Sequence, residues 1–99
     1  MKFEIKYLPI AQQDLTEIVE YIQLDNPGAA LSLIEQFDES ISKLADFPQM
    51  GVIPKDIRLH SMDYRMLVVH NYIVFYVIID KTIEIRRILY GKRKYSFLL

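Results

Sequence analysis

The chain has 99 residues, 52% of them hydrophobic and 25% charged, a formal net charge of −1 and no cysteine. That length holds one domain, residues 1–99, with a single core, and the composition is too apolar for a disordered chain. The lack of cysteine excludes disulfide scaffolds, thiolate zinc sites, iron–sulfur clusters and cysteine nucleophiles.

The opening MKFEIKYLP mixes charged and apolar residues, where a signal peptide carries an unbroken apolar run. The longest stretch without a formal charge, residues 66–79, falls short of the ~18 apolar residues of a membrane helix. Both features suit a soluble, cytoplasmic protein with no membrane partner. The charge is unevenly placed. Residues 1–50 hold three lysines and nine acids, net −6, whereas residues 51–99 hold four lysines, all five arginines and four acids, net +5. A basic half on a near-neutral chain points to phosphates or an acidic partner, or to acidic helices neutralising a basic sheet.

In chain order, residues 1–8 alternate, with Phe3, Ile5 and Tyr7 on one side and Lys2, Glu4 and Lys6 on the other, which predicts a half-buried strand. Residues 9–24 form a helix that opens on Pro9, with Ala11, Leu15, Ile18, Val19 and Ile22 as its apolar stripe. Asn26 and Pro27 suit the N-cap and N1 positions of a second helix, residues 27–45, with a stripe of Ala30, Leu33, Ile34, Phe37, Ile41 and Leu44. The short joint makes the two helices an antiparallel hairpin. Residues 52–63 read as a loop or irregular strand. Three strands follow at 64–70, 72–79 and 82–90, joined by tight turns at His70-Asn71 and Asp80-Lys81, which predicts an antiparallel meander. The fold class is therefore α+β, with the helical hairpin on one face of a sheet.

Few chemistries survive this reading. His60 and His70 stand away from any carboxylate run and read as surface residues, and no phosphate-binding glycine loop or nucleophile elbow occurs. What remains is a cluster of arginine, lysine and tyrosine on the sheet and tail: Arg58, Arg65, Arg86, Arg87, Tyr90, Lys92, Arg93, Lys94 and Tyr95. Arginine forks grip phosphate and tyrosine rings stack on bases, although strand tyrosines also pack. Arg86 and Arg87 point to opposite faces of a regular strand, unless a bulge turns one of them.

The pattern Ala11-x-x-Asp14-Leu15-x-Glu17-Ile18-x-x-Tyr21-Ile22, the joint Asp25-Asn26-Pro27-x-Ala29-Ala30, and Leu44-x-x-Phe47-Pro48-x-x-Gly51 occur in order. Tyr64-Arg65, the stretch Asn71–Phe75-Tyr76, and Ile85-Arg86-Arg87-Ile88-Leu89-Tyr90-Gly91-Lys92-Arg93 follow. With these features the chain resembles, over nearly its full length, the RelE/ParE superfamily of toxins from bacterial type II toxin–antitoxin modules. The resemblance implies an N-terminal strand, a helical hairpin and a three-stranded antiparallel meander. It also implies a cognate antitoxin as partner, small and acidic or partly disordered, with operator DNA reached only through that antitoxin, and neither cofactor nor metal.

Two activities exist on this fold. RelE-like members cut mRNA on the ribosome, and ParE-like members poison DNA gyrase without a nuclease site; a non-toxic co-repressor is a third role. For the ribosome-dependent endonuclease, ranked slightly ahead on the sequence, the expected catalytic residues are Arg65, Arg87, Arg93 and Tyr95. The resemblance implies the role for Arg93, in a Gly91-Lys92-Arg93 turn similar to that of RelE-like nucleases, whereas Arg65 and Arg87 match arginines common in the ParE-like branch. Arg65 and Arg93 would stabilise the phosphate, Arg87 would act as a third clamp or structural partner, and Tyr95 as proton donor or stacking ring. Arg58, Lys92, Lys94 and Tyr90 would contact RNA. The chain departs from the nucleases at Ile73, where they carry a second phosphate-contacting arginine, and at Tyr90, where many relatives have histidine. Its helix pattern and low overall charge are more ParE-like.

Overall fold

A computed structural model describes residues 2–92 and 98–99. The chain runs β1 (Glu4–Tyr7), α1 (Pro9–Asp25), α2 (Pro27–Ser42), one 3₁₀ turn (Lys43–Ala45), α3 (Ile57–Ser61), β2 (Arg65–Val69), β3 (Tyr72–Ile79) and β4 (Thr82–Tyr90). The α+β class, the helical hairpin and the antiparallel meander are as the sequence predicts.

Local chemistry sets the element ends. Leu8 is extended and Pro9 opens α1 at its first turn, where a missing N–H costs nothing. Asn26 is extended; its main-chain N–H closes α1 on the Ile22 carbonyl, while its side-chain oxygen accepts the Ala29 N–H at 3.1 Å to start α2. One residue thus ends one helix and caps the next. The two hairpin turns place His70 (φ 56°) and Asp80 (φ 53°) in the left-handed region that tight hairpins need.

The sheet order is β1-β4-β3-β2. β2–β3 and β3–β4 pair antiparallel, while β1 lies parallel to β4, with Glu4 opposite Thr82 and Tyr7 opposite Ile85. The first strand therefore returns beside the last one. The main core fills the space between the helical hairpin and one face of the sheet, where Ala11, Leu33, Phe37 and Ile41 meet Val74, Tyr76, Ile83 and Ile85. A second, smaller cluster of Leu59, Tyr64, Phe75, Val77 and Leu89 lies on the opposite face, with Leu98 and Leu99 packed against it.

Three details add to or correct the sequence reading. Residues 52–63 are not all loop: Ile57–Ser61 form a helical turn, capped by an Asp56 carboxylate that accepts the Leu59 N–H at 3.1 Å. Val52 makes an isolated antiparallel bridge to Met66 on the outer side of β2. Ile34 is 40% exposed and lies off the buried stripe of α2, because positions 30, 33, 37 and 41 already complete one helical face.

Candidate functional site

The arginines are placed first by an irregularity in β4. Its pairing with β3 jumps from Phe75↔Arg87 to Tyr76↔Ile85, so Arg86 is an extra residue in the strand. Such a bulge breaks the alternation of side chains. Arg87 sits opposite Phe75 of the second cluster, and the Arg86 guanidinium lies 5.8 Å from the centre of the Tyr64 ring in that same cluster. Both arginines are thus brought to the face opposite the hairpin. Arg86 also pairs with Glu84 at 2.8 Å.

Arg87 is held by α1. β1 stops at Tyr7, so the outer edge of β4 beyond Ile85 has no strand beside it, and α1 runs past it instead. Asp14 reaches over that edge. Its carboxylate takes the Ile88 main-chain N–H at 3.0 Å and two Arg87 N–H groups at 2.8 and 2.9 Å. The carboxylate is 8% exposed and acts both as the missing strand's acceptor and as the partner of a mostly buried guanidinium. The hydrogen bond to Asp14 raises the Arg87 pKa above its ordinary value, so the guanidinium holds its charge. Arg87 also donates to the Leu98 carbonyl at 3.3 Å.

Arg65, at the start of β2, is turned toward the segment before α3. It donates to the Gln49 and Gly51 carbonyls at 3.3 and 2.9 Å. Tyr76, completely buried on β3, works from the other side: its hydroxyl donates to the Pro48 carbonyl at 2.7 Å and accepts the Gly51 N–H at 2.9 Å. The approach is so close that a Cβ on residue 51 would stand 2.7 Å from that hydroxyl, which explains the glycine. Arg58 on α3 donates to the main-chain oxygen of Leu99 at 2.9 Å. Each of the four described arginines is therefore hydrogen-bonded within the protein. Arg93, Lys94 and Tyr95 lie outside the described residues. Lys92 is exposed, two residues past the end of β4.

Tyr90 occupies a different setting. It pairs with Tyr72 across the β3–β4 ladder, their rings edge to face with centroids 5.8 Å apart, and Tyr72 packs in turn on Phe37 of α2. Both tyrosines thus lie on the helical side of the sheet, beside an open cleft of about 500 Å³ between α1 and the ends of β3 and β4. Asp14, Glu17, Ile18 and Tyr21, one face of α1 by their spacing, form the opposite wall. Burial, reinforced by Tyr90 and Tyr21, raises the Tyr72 pKa, which keeps its hydroxyl neutral. Among the described residues, every ionisable side chain lining this cleft other than tyrosine is acidic. Tyr90 shares this lining with the carboxylates Asp14 and Glu17.

Asp14 and the cleft were not legible as a site, yet a signal for Asp14 exists: it lies three residues after Ala11, inside the apolar stripe of α1, where an unpaired charge is untenable. Among the described residues, no group of three or more His, Asp or Glu converges as metal ligands, and no helix is long and apolar enough to cross a membrane.

The fold has solved relatives. A chain of the chromosomal ParDE toxin–antitoxin system from P. aeruginosa superposes with a TM-score of 0.77 at 20% identity, over 92% of this chain and 98% of that one. A chain of the RelBE2 toxin–antitoxin complex from Mycobacterium tuberculosis gives 0.63 at 17% identity, over 91% and 99%. No curated protein sequence matches significantly. The sequence profile of the ParE toxin of the type II toxin–antitoxin system, parDE, matches residues 5–95, and with nine-tenths of its length inside that profile the chain belongs to the ParE toxin family.

Proposed function

We propose that this protein is a cytoplasmic growth-inhibiting toxin, neutralised by a cognate antitoxin, that acts by docking on DNA gyrase and not by cutting RNA. The observation that carries this reading is the engagement of all four described arginines. Metal-free RNA cleavage needs cations aimed outward at a phosphate, because stabilising developing charge is its largest demand. Here Arg87 is closed on Asp14, Arg65 on the Gln49 and Gly51 carbonyls, Arg86 on Glu84, and Arg58 on Leu99. Ile73, where the nucleases carry an arginine, is half-buried against the second cluster. Family membership and the fold of the ParDE relative support the same reading, as does the solved toxin–antitoxin setting of both structural relatives for an antitoxin partner.

The test is expression of the chain alone and together with the product of the neighbouring small gene. Growth arrest relieved by co-expression is the expected outcome. Arrest accompanied by a DNA-damage response and trapped gyrase cleavage complexes supports docking on gyrase. Arrest with intact DNA and mRNA cut in codon register on translating ribosomes overturns it in favour of the endonuclease, with Arg93 and Tyr95 as its working residues. Unimpaired growth at high soluble expression overturns the toxin reading itself.

A further inference from the structure

The cleft between α1 and the ends of β3 and β4 plays no part in the reading above, and its chemistry is selective. Tyr72 and Tyr90 supply two rings at a fixed edge-to-face angle, and Tyr21, 78% exposed, stands across from them on α1. Two carboxylates face the same space. Asp14 is committed to Arg87 and the Ile88 N–H, so its charge is already balanced. Glu17, one turn further along α1, is exposed and contacted by the neutral Gln13 amide at 3.2 Å. Among the described residues the cleft therefore holds one carboxylate in excess beside three electron-rich rings.

We propose that this cleft seats an arginine side chain presented by the antitoxin segment that folds over the toxin. The proposal rests on the antitoxin reading given above and names what that partner must bring. Aromatic faces attract a cation through their quadrupoles, and a carboxylate accepts two parallel N–H bonds from a guanidinium. Arginine uses both at once, because its planar fork stacks on a ring while its edge pairs with Glu17; a lysine ammonium offers neither the plane nor the fork. The charge also selects against an acidic side chain or a phosphate at this point, whereas the arginine-bearing half of the chain favours acidic residues elsewhere in the same partner. A covering segment would thus carry acids for the sheet side and one arginine for the cleft.

Two measurements test this. In the first, the full-length toxin is titrated with N-acetyl-arginine methylamide while the ring resonances of Tyr72 and Tyr90 are followed by NMR, with the citrulline analogue as an uncharged match in shape. Saturable shifts with the arginine compound, absent with citrulline and lost in Glu17→Gln, are expected. Equal response to both compounds, or none to either, overturns the proposal. In the second, the product of the neighbouring small gene is bound to the wild type, to Glu17→Gln and to Tyr21→Ala. Losing a charge-assisted contact weakens binding by roughly tenfold to a hundredfold, which is the loss expected for Glu17→Gln. A partner that binds wild type and Glu17→Gln equally overturns the arginine seat and leaves the antitoxin reading standing. A partner that binds neither overturns both.

Discussion

Two regions of this molecule are built from the same kinds of side chain and use them in opposite ways. Around the Pro48–Gly51 segment and the outer edge of β4, tyrosine, arginine and aspartate are closed on one another and on the main chain. Tyr76 makes two hydrogen bonds with no exposure, and Asp14 accepts three. Around the α1 cleft, Tyr21, Tyr90 and Glu17 are exposed. Groups of the first kind hold the fold, because a buried polar atom must find its partner inside the chain. Groups of the second kind are left for a partner to satisfy. Charge alone does not separate them: the four described arginines, which stand out in the sequence, fall on the closed side.

The comparison is broken most forcefully at Asp14. Asp14→Ala strands the Arg87 guanidinium and the Ile88 N–H at once, and removing one member of a buried pair costs about 3–5 kcal/mol. Urea unfolding should show a loss of that order. Asp14→Asn keeps an acceptor for the main-chain N–H and should lose less. Glu17→Gln, one turn away on the same helix but exposed, should stay within about 0.5 kcal/mol of wild type. A similar loss at both positions would erase the distinction between the closed region and the open one.

The same contrast explains what could be read before the fold was known. The helical hairpin was legible at Asn26-Pro27, because cap and first-turn preferences are local. The meander was legible at His70-Asn71 and Asp80-Lys81 for the same reason. The parallel place of β1 beside β4 was not, since alternation in residues 4–7 fixes which face is buried but not which strand lies alongside. The turn of helix at Ile57–Ser61 is too short for periodicity, although Asp56 marks its start. The cations of the candidate site were legible as residue types, but their partners were not. Arg87 meets a carboxylate 73 positions away, and only the bulge at Arg86 directs it there.

A smaller effect is expected at Tyr76, where β3 meets the Pro48–Gly51 segment. Tyr76→Phe keeps the ring in the core but leaves the Gly51 N–H and the Pro48 carbonyl without their partner, a cost of about 1–3 kcal/mol. Because Arg65 grips the same segment, the loss should be confined there, and amide exchange at Gly51 should accelerate more than exchange at Ile88. An equal acceleration at both amides would mean that the segment and the β4 edge open as one unit.

The mildest perturbation is alkaline pH, and it acts on the closed tyrosine with a definite sign. Burial raises the Tyr76 pKa, outweighing the Gly51 hydrogen bond and the nearby Arg65 charge, both of which favour the phenolate. The folded protein therefore holds this proton to higher pH than the unfolded chain, whose tyrosines ionise near pH 10. Below that point both states are protonated and the full stability is present. Above it the unfolded state releases its proton first, so stability falls as pH rises toward the folded pKa. Tyr72 and Tyr7, also raised chiefly by burial, add to the same decline. Stability measured by urea unfolding should be flat in this respect up to about pH 10 and drop beyond it. Tyr76→Phe, less stable at neutral pH, should show a shallower drop, since it has one fewer buried phenol to protect. A variant whose alkaline slope equals that of the wild type would assign the decline to Tyr72 and Tyr7, away from the Pro48–Gly51 segment.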